Sequence, residues 1–240
     1  LYILFICANG FSESINTNIT PIPVGYTDSS LYVGVFRDSK TQKELFQERR
    51  QNYFSQGEMV YTRITYHTPT GEMCAVKETE YGENKYQPKL IRMELPFDRQ
   101  TTAIIQNDIA LVEMQTGGKK KASSFSVPQR AILDEGFQHY IRDNFEILME
   151  GQSLSFPLVV VERDTYYNFT LNVQKIDLDK KEMLLSMSPK NWVLSLLVKS
   201  IYLTVNTETQ EMKGYQGILN FASCAEEGLF VTGTFTKESF

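Results

Sequence analysis

The sequence predicts a mainly β, α+β fold: a curved antiparallel sheet or incomplete β-barrel, with about two helices packed across its open side. Segments of apolar–polar alternation at period two recur from residue 31 to the end of the chain. The aromatic share of 12% is made of 15 Phe and 13 Tyr against a single Trp, and Phe and Tyr favour pleated, half-buried surfaces. Strands do not alternate regularly with helices, which argues against a parallel α/β sheet.

Taken in order, residues 1–12 differ from the rest. Leu1 to Ala8 are almost wholly apolar, and Ala8-Asn9-Gly10 fits a small-x-small cleavage pattern, with Gly10-Phe11-Ser12 as a second option. The stretch is too short for a membrane span and has the length of a signal-peptide hydrophobic region. The expectation is a secretory signal whose charged start is missing, and a mature chain with no transmembrane span. Residues 13–30, rich in Asn, Thr and Ser with two prolines, read as a polar lead-in. Residues 31–240 read as one β domain, with no internal repeat and no linker that would divide it.

Within that domain Leu31 to Phe36 form a first strand, and residues 60–81 form two strands around the Pro69-Thr70-Gly71 turn. Ile91, Met93, Leu95 and Phe97 share one apolar face, expected to point inward. Tyr167, Phe169, Leu171 and Val173 share another, opposite Tyr166, Asn168, Thr170 and Asn172. One dry and one wet face is the signature of antiparallel sheet. Residues 177–182 read as a polar hairpin turn, 200–221 as a hairpin around Asn206 to Gln210, and residues 228–236 as the last strand. That makes about nine to twelve strands.

Two segments follow helical spacing instead. Phe137, Ile141, Phe145 and Leu148 fall four, four and three residues apart, with Asp134 and Glu135 at the start and Gly151 after the end. Farther on, Ser188 suits a cap, Pro189 a first helical position, and Trp192, Val193, Leu196 and Leu197 an apolar face.

The net charge of −5 argues against nucleic acid as a partner, since a nucleic-acid binder shows a basic face. Lys119 to Lys121 form the one dense basic run and read as a solvated loop or strand edge. No dinucleotide or phosphate loop, no nucleophile elbow and no metal-binding spacing is present, so no cofactor and no metal is expected. His67 and His139 are the only histidines and read as surface residues. Glu78 and Glu80 project to one side of a strand and read as a solvated face, with Lys77 beside them; a hydrolase would need such carboxylates in a cleft. Cys74 and Cys224 can form a disulfide in an exporting compartment or stay as buried thiols, and both options stand. The concave face, closed by helices, is either a filled core or a cavity for an apolar ligand. Phe137, Ile141, Phe169 and Trp192 are the candidate cavity lining.

The stretches "TYHTPTGEMCAVKETEY", "YQPKLIRMEL", "LDEGFQHYIRDNFEILMEGQSLSFPLVV", "SPKNWVLSLLVKSIYLTVN" and "GYQGILN" resemble a group of uncharacterised exported Gram-negative proteins related in fold to the lipoprotein-localisation-factor (LolA-like) superfamily. The resemblance spans about residues 31–236. It implies an incomplete antiparallel barrel, closed by helices, with an apolar interior that holds acyl chains in the better-known members. No catalytic motif comes with it, and the arginine that tunes acyl binding in those members has no assignable counterpart. The expected function is a periplasmic binding or carrier protein for a lipid, a lipoprotein or another apolar ligand. The alternatives are a non-enzymatic envelope assembly factor with a protein partner and a filled core, or a hydrolase using the paired carboxylates.

Overall fold

Short turns between alternating apolar and polar runs leave each strand one option, which is to fold back on its predecessor. The computed structural model, which describes residues 25–191, 200–219, 224–225 and 228–238, shows this repeated along the chain. Strands β1 (Asp28–Asp38), β2 (Glu44–Ser55), β3 (Glu58–His67), β4 (Met73–Glu80), β5 (Lys89–Glu94), β6 (Arg99–Gln106), β7 (Ile109–Thr116) and β8 (Lys119–Ser126) form one antiparallel meander. The chain then makes the two-residue strand β9 (Ile132–Leu133) and helices α1 (Gly136–Asp143) and α2 (Phe145–Met149). It returns through β10 (Leu154–Val160), β11 (Thr165–Asp177), β12 (Glu182–Pro189), β13 (Ile201–Asn206), β14 (Met212–Ile218) and β15 (Phe230–Glu238). Strand β15 pairs with β1, so both runs belong to one sheet in the order β8-β7-β6-β5-β4-β3-β2-β1-β15-β14-β13-β12-β11-β10-β9. Only β9 and β10 pair in parallel among the described strands.

This is the curved, open antiparallel sheet that the alternation predicts, with more strands than expected. Strand β1 begins at Asp28, inside the expected lead-in, and Tyr26 ahead of it stacks on Tyr61 and lies tilted against Tyr53. The lysine run lies on β8, an edge strand of the sheet, where exposed lysines discourage pairing with another chain.

The sheet curls until its ends overlap. Leu90, Ala103, Ile105, Ala110 and Val112 of β5 to β7, with Val127 just after β8, pack against Leu133, Val159 and Val161 from the β9–β10 end. Polar contacts add to the seam: Arg92 meets Glu162 at 2.7 Å, and the Ser123 hydroxyl donates to Asp164 at 2.5 Å. Closure therefore comes from side chains, without a backbone ladder from β8 to β9.

The helical segment breaks earlier than its apolar stripe suggests. At Asn144 (φ −111°, ψ 19°) the side-chain amide donates to the Tyr140 carbonyl at 2.9 Å, taking the acceptor that its own backbone N–H would use in a continuing helix. Helix α2 ends as expected at Gly151 (φ 78°), whose N–H donates to the Leu148 carbonyl, while that of Gln152 donates to the Ile147 carbonyl. Ile141, Phe145 and Leu148 are buried in the main core with Leu171, Met183, Leu185 and Leu203. Each such side chain contributes about 1.5–3 kcal/mol by leaving water.

Two expectations need correction. Ser188 and Pro189 begin no helix: they end β12, opposite Thr170 and Phe169. The rest of that expected helix, including Trp192, lies outside the described residues. The inward face of β5 is the charged one, carrying Leu90, Arg92 and Glu94, while Ile91 and Met93 are half-buried on the opposite face and Phe97 is exposed. Local alternation gives the period of a strand but leaves the phase to its neighbours: Glu94 lies opposite Ala75, which lies opposite Tyr66, and this row faces inward.

Candidate functional site

Phase also decides what the concave face carries. Phe46, Glu48 and Arg50 of β2, Tyr66 of β3, Lys77 of β4 and Leu90 and Arg92 of β5 project into one interior space. On the other side stand Met187 of β12, Ile201 and Leu203 of β13, Tyr215 of β14 and Phe36 and Phe235 of β1 and β15. Helix α1 lies across it and contributes Phe137 and Gln138. The space between them is a cavity of about 320 Å³, apolar on the β12–β15 side and charged on the β2–β5 side. That is near the lower end of the roughly 300–1,000 Å³ typical of small-ligand sites.

The apolar wall depends on two glycines. Gly34 pairs across the sheet with Phe235, and Phe36 with Gly233. A Cβ at either glycine would come within 2.7 Å of the partner's ring, so each aromatic ring lies on a strand with nothing beneath it. Phe36 and Phe235 meet edge to face at 5.6 Å, and Phe36 stacks on Phe46 at 4.5 Å.

The charged wall is a network. Glu135, at the start of α1, accepts from Arg50 at 2.5 and 3.3 Å and from Lys77 at 2.5 Å. Lys77 also reaches Asp134 at 2.8 Å, and Arg50 reaches Glu48 at 3.1 Å. Burial opposes the Glu135 charge, but Arg50 and Lys77 outweigh it and hold the carboxyl well below the usual range. At Glu48 burial wins over the pull of Arg50, and its pKa is raised. Each cation of this network already has an anion, as expected of charges taken out of water. The network pins α1 to β2 and β4, and thereby roofs the cavity.

Of the residues proposed from sequence, Phe137 lines the cavity. Ile141 and Phe169 sit in the packed core beside it, where Phe156 links Phe137 at 5.2 Å with Phe169 at 6.3 Å. Trp192 lies outside the described residues. Cys74 and Cys224 are joined by a disulfide, with Cα atoms 5.5 Å apart and 150 residues between them in sequence.

Two readings of polar residues are overturned. His139 is buried, edge-on to Tyr81 at 4.7 Å, and its Nε2 has no hydrogen-bond partner. Glu78 is buried beneath Arg63, which donates to it at 2.7 and 3.0 Å, while Glu80 is exposed next to Lys89. The two glutamates thus occupy different environments, and neither lines the cavity. Among the described residues no group of three or more His, Cys, Asp or Glu side chains is placed to hold a metal ion, and no helix is long and apolar enough to cross a membrane.

Sequence reasoning missed Glu48, Arg50 and Arg92, and read Glu135 only as the acidic start of a helix. The available signal was phase: Phe46-x-Glu48-x-Arg50-x-Asn52 and Leu90-x-Arg92-x-Glu94 place charges in register with apolar residues on a single face.

No family model and no curated protein matches the chain. Its fold is similar to that of a beta-barrel-like protein of a domain of unknown function, DUF1849, from Brucella abortus, known from a crystal structure. The two share 10% identity at a TM-score of 0.52, and the match covers 88% of this chain and 97% of the other. The chain therefore has a β-barrel-like fold.

Proposed function

We propose that the protein is an exported, non-enzymatic binding or carrier protein that holds an apolar or amphipathic small molecule inside the curled sheet, with the periplasm as its compartment and the LolA-like superfamily as its relatives. The observation that carries this reading is the interior cavity of about 320 Å³, walled on one side by Phe36, Phe235, Leu203 and Met187 and roofed by Phe137. A core built only for stability closes such space, because unfilled volume costs about 24 cal/mol per Å³. The carboxylates near the cavity are tied up in ion pairs, which suits binding better than acid–base chemistry. A disulfide between distant residues suits an oxidising compartment. The cavity size favours a ligand with one chain over a multi-chain lipid.

Mass spectrometry of the natively purified protein and of its organic extract tests this directly. A stoichiometric apolar compound is the expected result. A protein that carries nothing, and whose interior takes up no N-phenylnaphthylamine at micromolar concentration, sinks the reading. Phe137→Ser is expected to weaken uptake of the dye about tenfold, matching the loss of one large apolar contact, with the fold intact by circular dichroism.

A second reading, an envelope interaction factor, draws on Ile109 and Leu111, which stand exposed on the outer face of β7. In that case the extract is empty and the chain co-purifies with a protein partner that Leu111→Asp releases.

A further inference from the structure

On the side of β1, β2 and β15 the cavity adjoins two further spaces. A narrow throat of about 30 Å³ shares Arg50, Gln138, Met212 and Phe235 with the cavity. The same throat shares Tyr32, Asn52, Arg142 and Glu211 with an outer bowl of about 470 Å³ between β1, β2, β15 and the end of α1. Three consecutive spaces thus run from solvent to the apolar wall. The throat holds roughly one water, so a chain passes only if side chains move. Gln138, Met212 and Arg142 are unbranched and reorient by rotamer changes without backbone movement.

The cations along this route are not equivalent. Arg50 is held by Glu48 and Glu135, Lys77 by Asp134 and Glu135, Arg92 by Glu162, and Lys237 by Glu211. The guanidinium of Arg142, half-buried in the last turn of α1 where throat and bowl meet, makes no hydrogen bond or ion pair among the described residues. Beside it in the bowl, the Ser30 hydroxyl is buried without a partner. The acidic groups facing the bowl are Asp28, Glu211 and Glu238. Glu211 is compensated by Lys237 and by the Tyr32 hydroxyl, and Asp28 and Glu238 are exposed, where water and salt screen them.

We infer that the ligand is a single-chain amphiphile with an anionic head, carboxylate or phosphate, whose tail lies along the Phe36–Phe235 wall and whose head rests on Arg142 at the throat. This rests on the carrier reading above and specifies its ligand. Orientation follows from solvation: an unpaired anion inside the cavity would face Glu48, Glu135 and Glu162, whereas at Arg142 it stays partly wet and gains a charge-assisted hydrogen bond.

Calorimetric titration of the full chain and of Arg142→Gln with laurate, dodecyl phosphate, dodecanol and dodecyltrimethylammonium, each below its micelle concentration, tests the inference. In the wild type at least one of laurate and dodecyl phosphate is expected to bind about tenfold or more tightly than dodecanol, and the stronger of the two names the head. Arg142→Gln is expected to erase that advantage and leave dodecanol binding and thermal stability unchanged. Equal binding of all four probes, tighter binding of the ammonium, or an unchanged anion advantage in Arg142→Gln overturns the head assignment and leaves the carrier reading standing. If no probe binds, this assignment fails, and the carrier reading is decided separately by the organic extract and the dye. Met212→Trp, which fills the throat, is expected to slow association of the dye in stopped flow by an order of magnitude or more. An unchanged rate places the way in elsewhere and overturns the route.

Discussion

At the scale of single residues, the position that most repays a measurement is His139. It is buried against Tyr81, and burial, helped by Arg142 and Lys85 and opposed by Asp143 and Glu58, holds its pKa down to about 4. In the unfolded chain the imidazole takes its proton near about 6.5. A base whose folded pKa lies below its unfolded one contributes fully above the unfolded value and loses that contribution as pH falls towards the folded value. The window here runs from about 6.5 down to about 4 and is worth about 3 kcal/mol. Urea unfolding of the wild type at pH 7 and pH 4.5 is expected to show most of that loss, about 2 kcal/mol, beyond whatever His139→Leu shows. If the two proteins lose the same stability, His139 is not held neutral. Sequence could not reveal this, because a histidine at helical spacing looks the same whether its side of the helix meets solvent or the Tyr81 ring.

At the scale of elements, α1 is set in place by residues far from it in sequence. Arg50 lies 85 residues and Lys77 58 residues from Glu135, so Asp134 and Glu135 read locally as the acidic start of a helix and Lys77 as a sign of a wet strand. Breaking a buried pair from one side costs about 3–5 kcal/mol because it strands the other charge. Arg50 and Lys77 each keep a second partner, Glu48 and Asp134, so Glu135→Gln is expected near the low end, about 3 kcal/mol. Pairing Arg50→Met with Glu135→Leu is expected to recover part of that loss in urea unfolding. A single variant within 1 kcal/mol of wild type would show that core packing of Ile141 and Phe145, and not the ion network, holds the helix. What sequence did show at this scale is what local rules govern: the hairpin at Pro69-Thr70-Gly71, the Asn206 turn and the glycine stop at Gly151. The break at Asn144 was also local, but it depends on one amide reaching one carbonyl, which spacing does not encode.

At the scale of the whole molecule, the alternation in sequence specified an antiparallel sheet and left its closure open. A meander of strands can stay flat, curl or roll up, and here the choice falls to contacts between the two ends: Leu90 and Val112 against Val159 and Val161, and Arg92 against Glu162. The same curl accounts for the disulfide. Strand β4 is four places from β15 in the sheet, about 19 Å if the strands lay side by side in a plane. Yet the Cα atoms of Cys74, at the start of β4, and Cys224, in the connection from β14 to β15, are 5.5 Å apart. Cys224 therefore sits across the end of the curled sheet, and Leu219, just after β14, lines the cavity. A crosslink over 150 residues restricts the unfolded chain strongly, and losing a native bridge costs about 2–5 kcal/mol. The Cys74→Ala/Cys224→Ala variant is accordingly expected to melt several degrees lower than wild type, about 2–4 °C for each kcal/mol at this chain length. Non-reducing peptide mapping of the wild type should yield one crosslinked peptide containing both residues. Free thiols at both positions in protein prepared without reductant would remove the bridge from the account. The end of the sheet would then depend on the apolar contacts of Phe36, Phe46, Tyr66 and Leu219 alone, and the double variant would melt with wild type.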